Sequence, residues 1–200
     1  GTFTSIASNP VVDEGIYTHS AAWADYNKDG YLDIVVSDFH PTDFNFLFLG
    51  DGLGGCSIDA SSEVSLSATS AVCVCWGDYD NDGDADLFIA NTNGENNQLV
   101  RNVNGVLIEE TLGTVVNDAG HSVGGTWGDC DNDGDLDLVS TSSGAINVWW
   151  FENIDGFGNF NAKQEIGGNG STAKTTLLAD FDNDGFIDVL AAYSALDRIV

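Results

Sequence analysis

The sequence predicts an all-β fold, a β-propeller of four-stranded antiparallel blades, and three observations carry that prediction. An acidic nonapeptide recurs four times, its first aspartates Asp25, Asp78, Asp129 and Asp180 standing 53, 51 and 51 residues apart. A period near 50 suits a four-stranded propeller blade and is too long for most helical solenoid repeats. Each copy is flanked by short apolar or β-branched runs punctuated by Gly, Asn and Asp, the pattern of strands and turns. No window of 12 or more residues holds a convincing helical period, and the only prolines are Pro10 and Pro41, so very little helix is expected. Residues 1–200 are expected to form a single propeller domain, or a segment of a larger one, with about four repeats of ~51 residues.

Each period reads as four strands, A to D. Strand A precedes the acidic loop at Ser20–Ala24, Val72–Gly77, Val123–Gly128 and Thr175–Ala179. Strand B follows it at Leu32–Val36, Leu87–Ala90, Leu136–Ser140 and Ile187–Ala191. Strand C lies at Phe46–Leu49, Gln98–Arg101 and Val148–Phe151, and a glycine-rich turn leads to strand D at Cys56–Ala60, Val106–Thr111 and Phe160–Ile166. Thr2–Ala7 resembles a strand D with nothing before it, and Arg198–Val200 the start of a strand C. Two arrangements fit. A four-bladed ring closes by lending its first strand to the last blade, or the chain is an interior stretch of a longer array. The missing initiator Met agrees with a processed or partial chain.

Charge excludes several function classes. With 32 Asp+Glu against 5 Lys+Arg, the formal charge is −27. Five basic residues cannot replace the counterions of a nucleic acid, and an anionic membrane surface is disfavoured for the same reason. Apolar runs such as Phe46–Leu49 are too short to span a bilayer. Yet 42% hydrophobic residues are too many for a disordered acidic tail, so the chain should fold with part of its charge neutralised.

The neutralising agent is read from the loops. The windows are Asp25–Asp33, Asp78–Asp86, Asp129–Asp137 and Asp180–Asp188, and they hold 17 of the 32 acidic residues, about three times the share of an even spread. Positions 1, 3, 5 and 9 carry oxygen side chains: Asp25, Asn27, Asp29 and Asp33; Asp78, Asp80, Asp82 and Asp86; Asp129, Asp131, Asp133 and Asp137; Asp180, Asp182, Asp184 and Asp188. Position 6 is always Gly, for the sharp turn. The carbonyl of position 7 (Tyr31, Asp84, Asp135, Phe186) adds a further oxygen, with the side chains of Asp84 and Asp135 expected to point to water. An all-oxygen shell completed by water is what Ca²⁺ takes, whereas zinc or copper would ask for His or Cys. Up to four Ca²⁺ are therefore expected, the first loop binding most weakly because Asn27 and Lys28 reduce its charge. An EF-hand is excluded, since position 12 is Val36, Ile89, Ser140 or Ala191 and not Glu. A plain surface turn would explain one loop; four copies of clustered, mutually repelling carboxylates argue for a cation.

The segments Trp76-Gly-Asp-Tyr-Asp-Asn-Asp-Gly-Asp-Ala-Asp-Leu-Phe-Ile-Ala-Asn91 and Trp127-Gly-Asp-Cys-Asp-Asn-Asp-Gly-Asp-Leu-Asp-Leu-Val139 resemble FG-GAP/VCBS repeats, the calcium-binding blades of integrin-α-like propellers. Val148-Trp-Trp-Phe-Glu-Asn-Ile-Asp-Gly-Phe-Gly-Asn-Phe160 is similar to the strand C, turn and strand D of that family. The resemblance implies an extracellular or cell-surface module, but the fold alone does not choose among adhesion, sugar binding and scaffolding. The expected role is an adhesion, interaction or assembly scaffold engaging a protein or glycan on a cell surface or matrix, with self-assembly through unpaired strand edges as a further route. The alternative is a lectin-like carbohydrate-binding module. No catalytic residue is expected, because His19, His40 and His121 have no nucleophile at an informative spacing.

Trp23, Trp76 and Trp127 sit two residues before their loops, with Leu178 in the fourth place, and read as blade-to-blade packing. Trp149 and Trp150 face opposite sides of a strand, which leaves one as the candidate for stacking on a sugar. Cys56, Cys73, Cys75 and Cys130 allow three disulfide pairings, and Cys130 reads as a buried free thiol. Asn169-Gly-Ser171 is the only glycosylation sequon.

Overall fold

A computed structural model describes residues 10–13, 17–39, 44–62, 64, 69–118, 120–143, 147–168, 172–194 and 198–199. The expected strand at Thr2–Ala7 lies outside these residues, as do His40, Pro41, Asn169 and Val200. After one helical turn, α1 (Pro10–Asp13), every element is a strand. The first blade comprises β1 (Thr18–Ala24), β2 (Asp33–Asp38), β3 (Phe46–Gly50) and β4 (Cys56–Ile58). The second comprises β5 (Ala71–Gly77), β6 (Asp86–Asn91), β7 (Gln98–Val103) and β8 (Val106–Glu109). The third is β9 (Ser122–Gly128), β10 (Asp137–Ser142), β11 (Asn147–Phe151) and β12 (Gln164–Gly168), and the fourth is β13 (Ala173–Ala179), β14 (Asp188–Tyr193) and β15 (Arg198–Ile199). Each sheet follows chain order, all pairs antiparallel. This is the predicted blade.

The register repeats as well. Trp23 pairs with Ile34, Trp76 with Leu87, Trp127 with Leu138 and Leu178 with Val189. The last residue of each strand A therefore faces the ninth residue of its loop: Ala24 with Asp33, Gly77 with Asp86, Gly128 with Asp137 and Ala179 with Asp188. The four A strands contact one another in succession. The central strands β2, β6 and β10 are buried along their whole length, as expected where both faces of a sheet are covered by neighbouring blades.

Packing between blades makes the core. One cluster joins Val35 and Leu47 of the first blade to Val74, Leu87 and Ile89 of the second. Another joins Phe88 and Leu99 to Leu138 and Phe151 of the third, and a smaller one joins Val139 and Val148 to Ala191 and Tyr193. Trp76 stacks on Tyr26 of the preceding blade at 5.9 Å, and Trp127 on Tyr79 at 6.0 Å. The preceding blade clears a space: a Cβ at Gly77 would stand 2.6 Å from the Trp127 ring, and one at Gly128 would stand 2.7 Å from Leu178.

Three expectations are corrected. Trp23 is not core but 63% exposed, because its place in the series faces backward and the described residues bring no position-2 ring against it. Strand D of the third blade is shifted to Gln164–Gly168, and Phe160 instead forms an isolated bridge with Asn153. The strand ends early at Ile58 and Glu109 in the first two blades. Trp149 packs against the second interblade cluster, and the Lys163 ammonium sits 4.8 Å over its ring, which occupies a face that a sugar would need. None of the four cysteines is joined in a disulfide, and burial raises the Cys130 thiol to about 12.

Candidate metal loops

All four loops are folded by their own aspartates. Position 1 bridges the turn with both oxygens: Asp25 accepts from Asp29 N and Gly30 N at 3.0 Å. Asp129 does the same for Asp133 N and Gly134 N at 3.0 and 3.1 Å, and Asp180 for Asp184 N and Gly185 N at 3.1 Å. In the second loop Asp78 accepts from Gly83 N at 3.0 Å. Position 5 accepts from the N–H of position 7 at 2.8–3.0 Å throughout, through Asp29, Asp82, Asp133 and Asp184. Position 6 has φ between 88° and 99°, a region open to Gly at no steric cost. Position 4 is also left-handed, with φ of 57° to 63° at Lys28, Asn81, Asn132 and Asn183. Asn tolerates this through its short polar side chain; Lys28 does not have that advantage.

Position 9 holds the loop to the blade. Asp86 accepts from Tyr79 N at 3.0 Å and from Asn102 N, at the end of strand C, at 2.7 Å. Asp137 repeats this with Cys130 N and Asn153 N at 3.1 and 2.8 Å. Asp33 accepts from Gly50 N at 2.9 Å and Asp188 from Phe181 N at 2.9 Å. Asp33, Asp86 and Asp137 are fully buried. Burial pushes the Asp86 carboxyl up to about 7 against its backbone hydrogen bonds, and raises Asp33 and Asp137 in the same direction.

Sequence reasoning missed two residues at this position in the fold. Asn102 and Asn153, both fully buried, donate from Nδ2 to the position-2 carbonyl of the preceding blade, Tyr26 O at 2.7 Å and Tyr79 O at 2.8 Å. They also donate to Ala85 O and Leu136 O in their own loops. Their signal was present: two asparagines 51 residues apart, just past strand C, in step with the acidic repeat.

In three of the loops, carboxylates come together. Ligand oxygens of Asp78, Asp80 and Asp86 lie within 4.8 Å of one another, as do those of Asp129, Asp131 and Asp133, and of Asp180, Asp182 and Asp188. The first loop, with Asn27 at position 3, brings no such trio of carboxylates together among the described residues. Asp82, Asp184 and Asp29 serve the turn itself, as their backbone bonds show. Tyr31 and Phe186 leave their rings exposed at position 7.

Position 7 requires a correction in the two central loops. Asp84 does not point to water. Its side chain is buried, accepting from Asn104 N at 2.7 Å and pairing with the Lys28 ammonium of the loop before it. Lys28 lowers the Asp84 carboxyl below the usual range, and the contact raises Lys28 in turn. Asp135 likewise accepts from Asn81 Nδ2 at 2.8 Å. A repeat read one loop at a time gives no sign of the Lys28 and Asn81 contacts, because these partners lie 56 and 54 residues away in the preceding copy.

The donor set fits a hard divalent cation. Asp78 Oδ1 and Asp33 Oδ2 are buried with no hydrogen-bond partner, a costly state for a carboxylate oxygen unless something positive meets it. Burial and then the adjacent Asp82 raise Asp80, and burial and Asp133 raise Asp131. Both groups are held against like charge, which a cation would relieve.

Residues 78–140 and 129–191 each match the model of the FG-GAP-like repeat, together more than half of the chain. The chain belongs to the FG-GAP-like repeat family. Among curated proteins it is 30% identical over 149 residues to cartilage acidic protein 1 of Xenopus tropicalis, covering 70% of this chain and 23% of that protein. Among solved structures, a lectin of Agrocybe aegerita that recognises non-reducing terminal N-acetylglucosamine superposes with a TM-score of 0.56 at 20% identity, covering 88% of this chain and 48% of the lectin. BBS1N, solved in complex with ARL6DN, superposes with a TM-score of 0.55 at 15% identity, covering 88% and 51%. The FG-GAP-like chain thus spans about a quarter of its curated relative and about half of each of these structures. The two structures bear on the fold alone.

Proposed function

We propose that these FG-GAP-like blades bind Ca²⁺ and serve as an extracellular adhesion, interaction or assembly scaffold for a protein or glycan partner, without catalysis. The observation that carries the calcium reading is the threefold convergence of Asp carboxylates, joined in the second loop by the buried, unpartnered Oδ1 of Asp78. Asp78, Asp80 and Asp86, Asp129, Asp131 and Asp133, and Asp180, Asp182 and Asp188 would hold the ions, and the ions would supply the charge that the loops lack. Three Ca²⁺ in these loops would take the formal charge from −27 to −21, and a fourth in the first loop would take it to −19. Multi-aspartate loops of this kind suit the millimolar calcium outside cells, which supports a surface or matrix location, as does the likeness to cartilage acidic protein 1.

The test is a pair of thermal melts, in chelator and in millimolar Ca²⁺, with elemental analysis of the dialysed protein. Each occupied site adds roughly 2.7 kcal/mol at a hundredfold excess over its dissociation constant, so a clear rise in melting temperature is expected. Identical melts and no bound metal would overturn the calcium reading. The lectin-like alternative is separated from the scaffold by a glycan array run in Ca²⁺, where saturable binding to one sugar class would favour the lectin.

A further inference from the structure

We infer that the residue at position 4 of each loop is a positioning residue for the calcium site of the loop that follows it. Lys28 would act on the second loop, Asn81 on the third and Asn132 on the fourth; the inference rests on the calcium reading above. Three separate contacts carry it. Lys28 pairs with Asp84, position 7 of the second loop. Asn81 Nδ2 donates to Asp135 Oδ1, position 7 of the third loop, at 2.8 Å, and to Gly156 O in the following turn at 3.4 Å. Asn132 Nδ2 donates to Gly185 O, position 6 of the fourth loop, at 2.8 Å. The side chains differ, yet all three reach forward to the same place.

The geometry explains why position 4 can do this. Its left-handed backbone, with φ near 60° in every copy, turns the side chain out of its own loop toward the next blade. The target is the segment whose carbonyl at position 7 is the expected backbone ligand, adjoining the glycine on which the turn depends. Fixing positions 6 and 7 removes freedom that a cation would otherwise have to quench, which raises affinity without adding a ligand. Phe186, at position 7 of the fourth loop, has no side-chain acceptor, and there the contact moves to the neighbouring carbonyl. Coupling therefore has a direction: each loop supports its successor.

Asn81 gives the cleanest test because it is neutral. Lys28 both anchors Asp84 and brings a positive charge to the second loop, two effects of opposite sign on cation binding. Asn81→Gly removes the side chain and keeps the left-handed backbone accessible. The readout is hydrogen exchange of peptides from each loop across a calcium titration, in the parent and in Asn81→Gly. The calcium midpoint for protection of residues 129–137 should rise roughly fivefold to tenfold, the net worth of one solvent-exposed hydrogen bond, and that for residues 180–188 should stay in place. The shift at 129–137 should persist when Asp80→Ala has already disabled the second site. A midpoint at 129–137 that does not move, or a shift confined to 78–86, would overturn the inference while leaving calcium binding intact. A parent that shows no calcium-dependent protection in any loop would overturn both, and is told apart by that measurement alone.

Discussion

Replacing Trp127 with Ala probes the contact that joins the second blade to the third. The ring stacks on Tyr79 at 6.0 Å and 18°, meets Phe88 edge-on at 6.3 Å, and lies 6.2 Å from Phe160. Its Nε1 donates to Cys75 O at 3.4 Å, and Gly77 leaves the room it fills. Removing a core Trp costs about 3–5 kcal/mol. The indole is only half-buried, which points to the lower end, while its aromatic pairs add about 0.5–1.5 kcal/mol beyond area. A loss of about 3–4 kcal/mol follows. At roughly 2–4 °C per kcal/mol for a chain of this size, the melting temperature should fall by about 6–16 °C. Leu112→Ala, at a residue 83% exposed, should stay within about 0.5 kcal/mol. Circular dichroism melts in saturating Ca²⁺ measure both. If Trp127→Ala melted like Leu112→Ala, blade stacking through this position would not be what holds the repeats together.

The remaining predictions concern the loops and the space between blades. Gly77→Val should cost about 1–3 kcal/mol by forcing atoms into the Trp127 ring, and denaturant midpoints would show it; an unchanged midpoint would mean that the ring moves freely. Asp84→Ala should lower the melting temperature even in chelator, because Asn104 N and Lys28 lose their acceptor. Asp80→Ala should instead leave the chelated protein nearly unchanged and reduce the gain from Ca²⁺; equal profiles would refute the division between anchor and ligand. Asp86 sets a pH dependence in chelator. Its folded value of about 7 lies above the ordinary 3.8, so its relative contribution is fully present below pH 3.8 and is lost as pH rises toward 7, by on the order of 4 kcal/mol. Metal-free protein should thus lose stability between about pH 4 and 7, Asp86→Asn should flatten that slope, and a slope that survives in Asp86→Asn would assign it elsewhere.

The fold was legible because it is written four times. Period, strand order and loop positions follow from residues that recur, and noise at any one copy is averaged by the others. What the repeat did not disclose is what one copy does to the next. Asp84 looked like a solvent-facing spare charge because nothing within its own loop needs it; its partners are Lys28 of the preceding loop and Asn104 N in the turn after strand C of its own blade. Trp23 looked like core because Trp76 and Trp127 are core, yet a residue that packs backward depends on what precedes it. Phe160 looked like strand because aromatic residues favour strands, but the turn after Asn153 holds it in a lone bridge and delays β12 to Gln164.

The Trp23 and Lys28–Asp84 cases have a common physical origin between blades, and it bears on how calcium and blade packing are related. Position 2 of a loop carries the ring that receives the next blade's Trp, and its carbonyl receives the next blade's Asn102 or Asn153. Position 4 reaches the next loop, and position 9 of that next loop binds the N–H of the same asparagine. A cation drawing positions 1 and 3 toward position 9, or toward position 5 in the third loop, would therefore order the surface on which the following blade rests. Each loop contacts only its neighbour, so stability should propagate as a chain of nearest-neighbour terms, with the loops supplying part of every term. Emptying one site would then weaken the blade interface that follows it more than the interface before it.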